Sequence, residues 1–220
     1  MLTRDLISPI LPYLQLQDKV FDALQLMNDS HVSHLPLINE DQYIGLISEE
    51  DLLQAPDDTI ELRELKETFP VIKVSPDDHF LKALHVTVDN KLTLVPVVGP
   101  DNELMGSVSN RELVKQASEF MNVKEPGGLI VLEMEPRAYS FSEISRLVES
   151  NDAQITQLNT YTEPETGMMQ VTFKINKPEI SDIVSTFQRY EYNIKYAFGE
   201  EFYDNELRSN YDNLMNYLKI

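Results

Sequence analysis

Two short segments of this sequence place a hydroxyl and a carboxylate at the start of a predicted helix. Ser48–Asp51 reads Ser-Glu-Glu-Asp and Ser109–Glu112 reads Ser-Asn-Arg-Glu, and each follows a short apolar strand. The serine can cap the helix by accepting a backbone N–H. The acid three residues later can stabilise the first turn, because its negative charge lies near the free N–H groups of the helix. The same hydroxyl and free N–H groups can bind phosphate. Each segment can therefore be interpreted as a helix cap alone or as an anion-binding site.

The four histidines do not form a metal site. His34 begins a predicted strand and His31 lies in the loop before it, with no third ligand of matching type nearby. His79 and His85 lie at the start and on one face of a single predicted helix. Cysteine is absent, which excludes thiolate metal sites and disulfides and favours a reducing compartment. The sequence therefore predicts no metal ligands.

The motifs that usually signal catalysis are missing. The chain has no cysteine nucleophile, no G-x-S-x-G turn and no Walker-type glycine loop. With only seven glycines, loops that cradle phosphate through their backbone are not expected. The sequence therefore predicts no catalytic residues and a protein that is not an enzyme.

The two serine segments belong to an internal repeat. Residues 10–53 and 70–114 match at a fixed offset, with one extra residue in the second turn of the later copy. Because the matches keep their order over the whole unit, they indicate two copies of one structure. The matched pairs include Asp18 with Asp78, Pro36 with Pro96, Gly45 with Gly106, and Ser48 with Ser109.

Each copy predicts a β-α-β-β-α unit of about 60 residues. Asp18 is the expected cap of the first helix, and Ser75 or Asp77 that of its equivalent in the second copy. One unit is too small to bury its sheet alone, so the two should pack together. The predicted strands cover 34–38, 43–48, 93–98 and 104–109.

The order of elements and signatures resembles a tandem pair of CBS domains. The first copy reads His34-Leu35-Pro36-Leu37, then Gly45-Leu46-Ile47-Ser48-Glu49-Glu50-Asp51. The second reads Leu94-Val95-Pro96-Val97, then Gly106-Ser107-Val108-Ser109-Asn110-Arg111-Glu112. The resemblance implies an α/β CBS pair over residues 1–123, with repeat one at about 1–56 and repeat two at about 60–120.

The resemblance also implies a ligand, since CBS pairs often bind adenosine nucleotides such as AMP or ATP between their repeats. In the first site, Ser48 would face phosphate and Asp51 would hold the ribose hydroxyls. The base pocket would be lined by Ile10, Leu11 and the strand His34–Pro36.

The second implied site departs from the family pattern. Ser109 matches the phosphate-facing serine, and Arg111 can contribute positive charge to phosphate. Glu112, which is one methylene longer, stands where the ribose aspartate is expected.

The second half of the chain has a different pattern. After a linker signal near 124–128, the order of elements is βαββαβ, which is a ferredoxin-like α+β domain over 127–200. Ser140 is the expected cap of its first helix. A polar helix at 201–220 carries an apolar stripe, and it could pack on its own domain or on a partner subunit.

Fused to a regulatory module, this βαββαβ unit resembles an ACT-like domain, whose members often bind amino acids where two such domains pair. The glycine typical of the first strand-to-helix turn is replaced by Glu135-Pro136-Arg137-Ala138-Tyr139. A purely dimerising role is therefore the alternative to amino-acid binding.

Charge and hydropathy argue against two classes of binding partner, nucleic acids and membranes. The formal net charge is −19 and the pI is about 4.5, so the surface repels nucleic acid and anionic membranes. Any anionic ligand needs a locally basic pocket to overcome this field. No run of about 20 apolar residues could span a bilayer and no signal peptide is recognisable, so a cytoplasmic protein is expected.

Two functions follow as hypotheses. In the first, the CBS pair senses an adenine nucleotide and signals through a change in conformation or dimer packing. AMP, ADP, ATP and S-adenosylmethionine are the candidate regulatory ligands, and none is required as a cofactor. In the second, the protein is a dimerisation and docking scaffold without a ligand. A homodimer through the CBS pair is expected in both.

Overall fold

The computed structural model describes residues 1–65 and 69–199. The chain divides into two compact units, Met1–Ser118 and the part that begins at Glu119, and each has its own apolar core. Over the described residues, no helix combines the length and apolar character needed to cross a bilayer. The helix predicted at 201–220 lies outside the described residues.

The first unit contains the predicted repeat twice. In the first copy, β1 pairs in parallel with β2, and β2 pairs antiparallel with β3. In the second copy, β4 pairs antiparallel with β5, and Val74 forms a parallel bridge to Val97 where the first copy has β1. The elements are β1 (Leu14–Gln15), α1 (Val20–Ser30), β2 (His34–Asn39), β3 (Gln42–Ser48), α2 (Glu49–Leu53), α3 (Phe80–Asp89), β4 (Leu94–Val98), β5 (Leu104–Ser109) and α4 (Asn110–Phe120).

Equivalent positions of the two copies build one shared core. In α1 the side chains of Val20, Ala23 and Met27 are buried, as their spacing along one helix face predicts. The equivalent positions of α3 are buried too. The strands between the helices are almost wholly buried, which explains their continuous apolar runs. The predicted pair of βαββα repeats is confirmed.

The prediction that Asp18 caps α1, and that Ser75 or Asp77 caps α3, is wrong. The Asp18 carboxylate instead accepts the backbone N–H of Gln15 at 2.7 Å, which closes the turn ahead of the helix. Asp78 accepts the N–H of Ser75 at 2.8 Å in the same way. The two aspartates recur in the repeat because they close the same turn.

The second unit is the predicted βαββαβ fold. Its sheet has the order β7-β8-β6-β9 with every neighbouring pair antiparallel, which is the ferredoxin-like topology. Ser140 caps α5 as predicted, with its Oγ accepting the N–H of Glu143 at 3.4 Å. The elements are β6 (Leu129–Met134), α5 (Phe141–Glu149), β7 (Ile155–Thr162), β8 (Met169–Ile175), α6 (Ser181–Arg189) and β9 (Asn193–Phe198).

Two buried threonines of the first unit differ in whether their hydroxyl is bonded. Thr87 occupies the position of Met27 in the earlier copy, and its Oγ1 has no hydrogen-bond partner among the described residues. Thr3 is equally buried, but its Oγ1 donates to the Asp78 carbonyl at 2.8 Å. A buried hydroxyl without a partner destabilises the folded state, whereas a bonded one contributes to it.

We therefore predict that Thr87→Val raises the free energy of unfolding of the first unit by about 1 kcal/mol. The matched variant Thr3→Val should lower it by about the same amount, because it removes a bonded hydroxyl. Hydrogen exchange of the β2 and β4 amides reports the first unit separately. Equal destabilisation by both variants would contradict the prediction.

Candidate functional site

Ser48 and Asp51 form a reciprocal cap at the junction of β3 and α2. The Ser48 Oγ accepts the Asp51 N–H at 3.1 Å. The Asp51 Oδ2 accepts both the Ser48 N–H at 2.8 Å and the Ser48 hydroxyl at 2.6 Å. This arrangement is a capping box with aspartate as the acid. It holds the carboxylate in place and leaves Oδ1 without a hydrogen-bond partner among the described residues.

His34 and Pro36 lie on β2, directly opposite the strand that carries Ser48. His34 pairs with Ser48 in the strand register, and Pro36 pairs with Leu46. The His34 Nδ1 lies 3.1 Å from the hydroxyl of Thr93 in the second repeat and accepts the Thr93 N–H at 3.3 Å.

The environment of His34 keeps its imidazole neutral. Burial lowers the pKa of His34 below its ordinary value, and the nearby Asp51 charge only partly opposes this. The Nδ1 that accepts a backbone N–H must also be unprotonated. The structure therefore gathers His34, Ser48 and Asp51 into one cluster in which the His34 Nδ1 is a hydrogen-bond acceptor.

A cavity of about 300 Å³ opens beside Asp51. Its walls come from the end of α2 and from the segment that connects the two repeats. They are mainly apolar, with Glu64 as a second acid. Sequence reasoning missed this lining because the connecting segment has no counterpart in the repeat. The lining residues are Asp51, Gln54, Ala55, Pro56, Ile60, Glu64 and Leu65.

The segments that lead into the two repeats cross over. We call residues 7–13 the first lead-in and residues 69–73 the second. The Ser8 N–H of the first lead-in donates to the Ser107 carbonyl of β5 at 3.0 Å. The Pro70 carbonyl of the second lead-in accepts the Leu46 N–H of β3 at 2.9 Å. Each lead-in therefore borders the outer strand of the other repeat.

The recurring glycines follow from this crossing. A Cβ added to Gly45 would lie 2.9 Å from the Cβ of Phe69, so a side chain there would displace the second lead-in. Gly106 faces Ile7 of the first lead-in and also has a positive φ of 143°. Both glycines are therefore needed for the close approach of a strand and a lead-in.

The crossing decides which predicted residues lie together. Ile10 and Leu11 follow Ser8, which is the lead-in residue bonded to β5 of the second repeat, and the Ile10 N–H donates to the Ser8 Oγ at 3.4 Å. The side chain of Ile10 is 87% exposed, while Leu11 packs against the core of the first unit. The lead-in beside the strand of Ser48 is 69–73, which sequence reasoning did not assign. Sequence reasoning could not assign this segment, because an internal repeat does not show whether a segment pairs within its own copy or with the other copy.

The equivalent cluster in the second repeat has different bonds. The Ser109 Oγ accepts the Glu112 N–H at 3.1 Å, so the serine still caps its helix. The Glu112 carboxylate is bound by the Lys115 ammonium at 2.9 Å. Arg111 is exposed. The acid at this position is therefore paired with a cation, whereas Asp51 has no ion pair within residues 1–65 and 69–199.

Comparison with known proteins identifies the family. The model of the CBS domain matches residues 4–58 and 62–119, which together make up just over half of the chain. The chain belongs to the CBS domain family, and the first unit is a tandem CBS pair.

Several relatives share this module. The chain is 24% identical over 134 residues to inosine-5'-monophosphate dehydrogenase of Methanocaldococcus jannaschii, covering 60% of this chain and 27% of the relative. It is 25% identical over 179 residues to the Bacillus subtilis enzyme of the same name, covering 78% of this chain and 36% of the relative. The chain thus spans only about a third of the length of these relatives.

A solved structure resembles the same part of the chain. The crystal structure of a CBS domain pair/ACT domain protein from Thermotoga maritima has a TM-score of 0.50 and 20% sequence identity. The match covers 55% of this chain and 99% of that one. At this identity the likeness shows the fold.

Proposed function

We propose that the CBS pair is a regulatory sensor that binds an adenosine compound beside Ser48 and Asp51. The observation that carries the proposal is the Asp51 carboxylate, which is held by Ser48 and has its Oδ1 unbonded at the edge of an apolar cavity. Such a carboxylate can accept both hydroxyls of a ribose. AMP and ATP are the compounds that membership of the CBS family suggests first.

The remaining lining suits the apolar part of such a ligand. Ile60, Ala55 and Leu65 offer apolar surface for a base or for the sugar edge. A hydrogen bond from a ribose hydroxyl to a charged carboxylate contributes about 1.5–3 kcal/mol. The position of the carboxylate is set in advance by the cap, so little ordering is lost on binding.

A ligand at this place would bias how the two repeats pack. Ser48 belongs to the first repeat, while the second lead-in, at 69–73, belongs to the other and borders the same strand. A compound that fixes the end of this strand would therefore favour one arrangement of the repeats over others. Because Glu112 is already paired with Lys115, we propose one such site per chain.

We predict that Asp51→Asn weakens the binding of adenosine at least tenfold, because an amide loses a charge-assisted hydrogen bond of about 1.4 kcal/mol or more. Isothermal titration calorimetry of the full chain measures this. The matched variant Glu112→Gln should leave the affinity unchanged. The proposal fails if neither adenosine nor any of its derivatives binds at millimolar concentration, or if both variants behave like the unmodified protein.

A specific observation favours a second role, dimerisation through the CBS pair. Apolar residues that face solvent recur at equivalent positions of the two repeats, with Phe21 of α1 matching Leu81 of α3. Leu53 of α2 and Val114 of α4 are matched in the same way, with exposed fractions of 68% and 59%. Exposed apolar residues in such a pattern indicate a contact surface. We propose a homodimer through these helices, as CBS membership suggests.

The second unit is proposed to be an ACT-like domain that does not bind amino acids. The turn after β6 forms a 3₁₀ helix at Pro136–Ala138, with Pro136 at its start. Proline offers no N–H to a ligand, and no glycine stands in this turn.

For the homodimer, we predict that the double variant Phe21→Glu/Leu53→Glu sediments as a monomer, because four carboxylates would be brought into one interface. The unmodified chain should sediment at about twice its mass of 25.3 kDa. Phe141→Glu, at a position of the second unit that is 53% exposed, is the control and should stay dimeric. A monomeric unmodified chain would refute the homodimer.

A further inference from the structure

Helix α4 begins in the first unit and ends in the second. It spans Asn110–Phe120, whereas the second unit begins at Glu119. The residues between α4 and β6, 121–128, include the stretch that the sequence predicts to be a linker, and we call them the α4–β6 segment. This segment belongs wholly to the second unit, so its bonds to β8 are contacts within that unit.

The ammonium of Lys174, on β8, binds three carbonyl groups of the α4–β6 segment. Its Nζ donates to the Asn122 carbonyl at 2.7 Å, to the Val123 carbonyl at 3.5 Å and to the Glu125 carbonyl. A lysine ammonium has three N–H donors, so these three bonds use all of them. The carbonyls follow the C-terminal end of α4, where the helix dipole is negative and favours a cation.

Backbone bonds shape the segment around this ammonium. Asn122 has a positive φ of 52°, and its N–H donates to the Glu119 carbonyl at 3.0 Å, just beyond the end of α4. The Glu125 N–H then donates to the Asn122 carbonyl at 3.3 Å. The chain therefore turns back on itself directly after the helix, and its carbonyls converge on the Lys174 Nζ.

The end of the segment is held against the end of β8 as well. A Cβ added to Gly127 would lie 2.0 Å from the Ile175 carbonyl oxygen, so the two backbones are in close contact. The Gly128 N–H donates to the Lys177 carbonyl at 2.7 Å, and the Gly128 carbonyl accepts the Ile175 N–H at 2.9 Å. The two glycines of the predicted linker therefore serve close packing rather than flexibility.

We propose that Lys174 makes the α4–β6 segment a rigid coupling between α4 and the sheet of the second unit, instead of a flexible tether. Hydrogen bonds from an ammonium are stronger than neutral ones, so the three carbonyls and β8 move together. A displacement of α4 is then passed to an internal strand of the sheet, whereas a flexible tether would absorb it. The coupling does not depend on which ligand the first unit binds.

Relaxation of the backbone ¹⁵N nuclei in the full chain tests the coupling. The order parameters of Val123–Glu125 should be about 0.85, as in β8, and Lys174→Gln should lower them below about 0.6. The matched control is Lys177→Gln, which removes an ammonium that donates to the Asn151 carbonyl at 2.9 Å. It should leave Val123–Glu125 rigid. Low order parameters in the unmodified chain, or unchanged ones in a folded Lys174→Gln variant, would overturn the proposal.

A second measurement needs no variant and decides the matter if Lys174→Gln fails to fold. The ammonium protons of Lys174 should exchange with water at least about tenfold more slowly than those of Lys124, because each is held by a carbonyl. Lys124 is the internal reference, since its side chain is exposed in the same segment. Equal exchange rates for the two lysines would show that the ammonium does not hold the segment.

Discussion

The pairing of each lead-in segment with the other repeat is the constraint on which the first unit depends. β3 and β5 are outer strands, and an outer strand exposes unpaired N–H and C=O groups. The N–H of Leu46 and the carbonyl of Ser107 are hydrogen-bonded to the lead-in from the opposite copy. Neither repeat completes its own sheet edge, so the two must fold together. This is a stronger reason for a pair than the small size of one repeat.

The same crossing places the candidate site. Because Gly45 lets the second lead-in approach β3 closely, residues of both repeats border the strand that ends at Ser48. The reciprocal cap then fixes the Asp51 carboxylate at the edge of the cavity. Packing of the repeats and the geometry of the site are therefore consequences of one set of contacts.

The two repeats share one backbone fold but differ in the side chains at equivalent positions. Ser107 and Thr87 stand in the second copy where the first has Leu46 and Met27, and both hydroxyls are buried without a partner among the described residues. Glu112 is held by a lysine, whereas Asp51 is held by a serine. The divergence confines the proposed ligand site to the first copy.

Sequence reasoning predicted the elements well because apolar periodicity directly reflects burial. The βαββα repeat and the ferredoxin-like order both follow from it. It failed at Asp18, whose short carboxylate reaches the Gln15 N–H before the helix instead of capping it. It did not identify Glu64 as a residue that lines the cavity, because the segment that connects the two copies has no counterpart in the repeat.

The place where adenosine binds is tested most directly by mapping amide chemical-shift changes while adenosine is added to the full chain. The proposed site predicts that the amides of Ser48–Asp51 shift together with those of Gln54–Ala55 and Glu64–Leu65, which line the cavity. Shifts at Ser48–Asp51 accompanied by Ile10–Leu11 instead, or shifts centred on Ser109–Glu112, would contradict it.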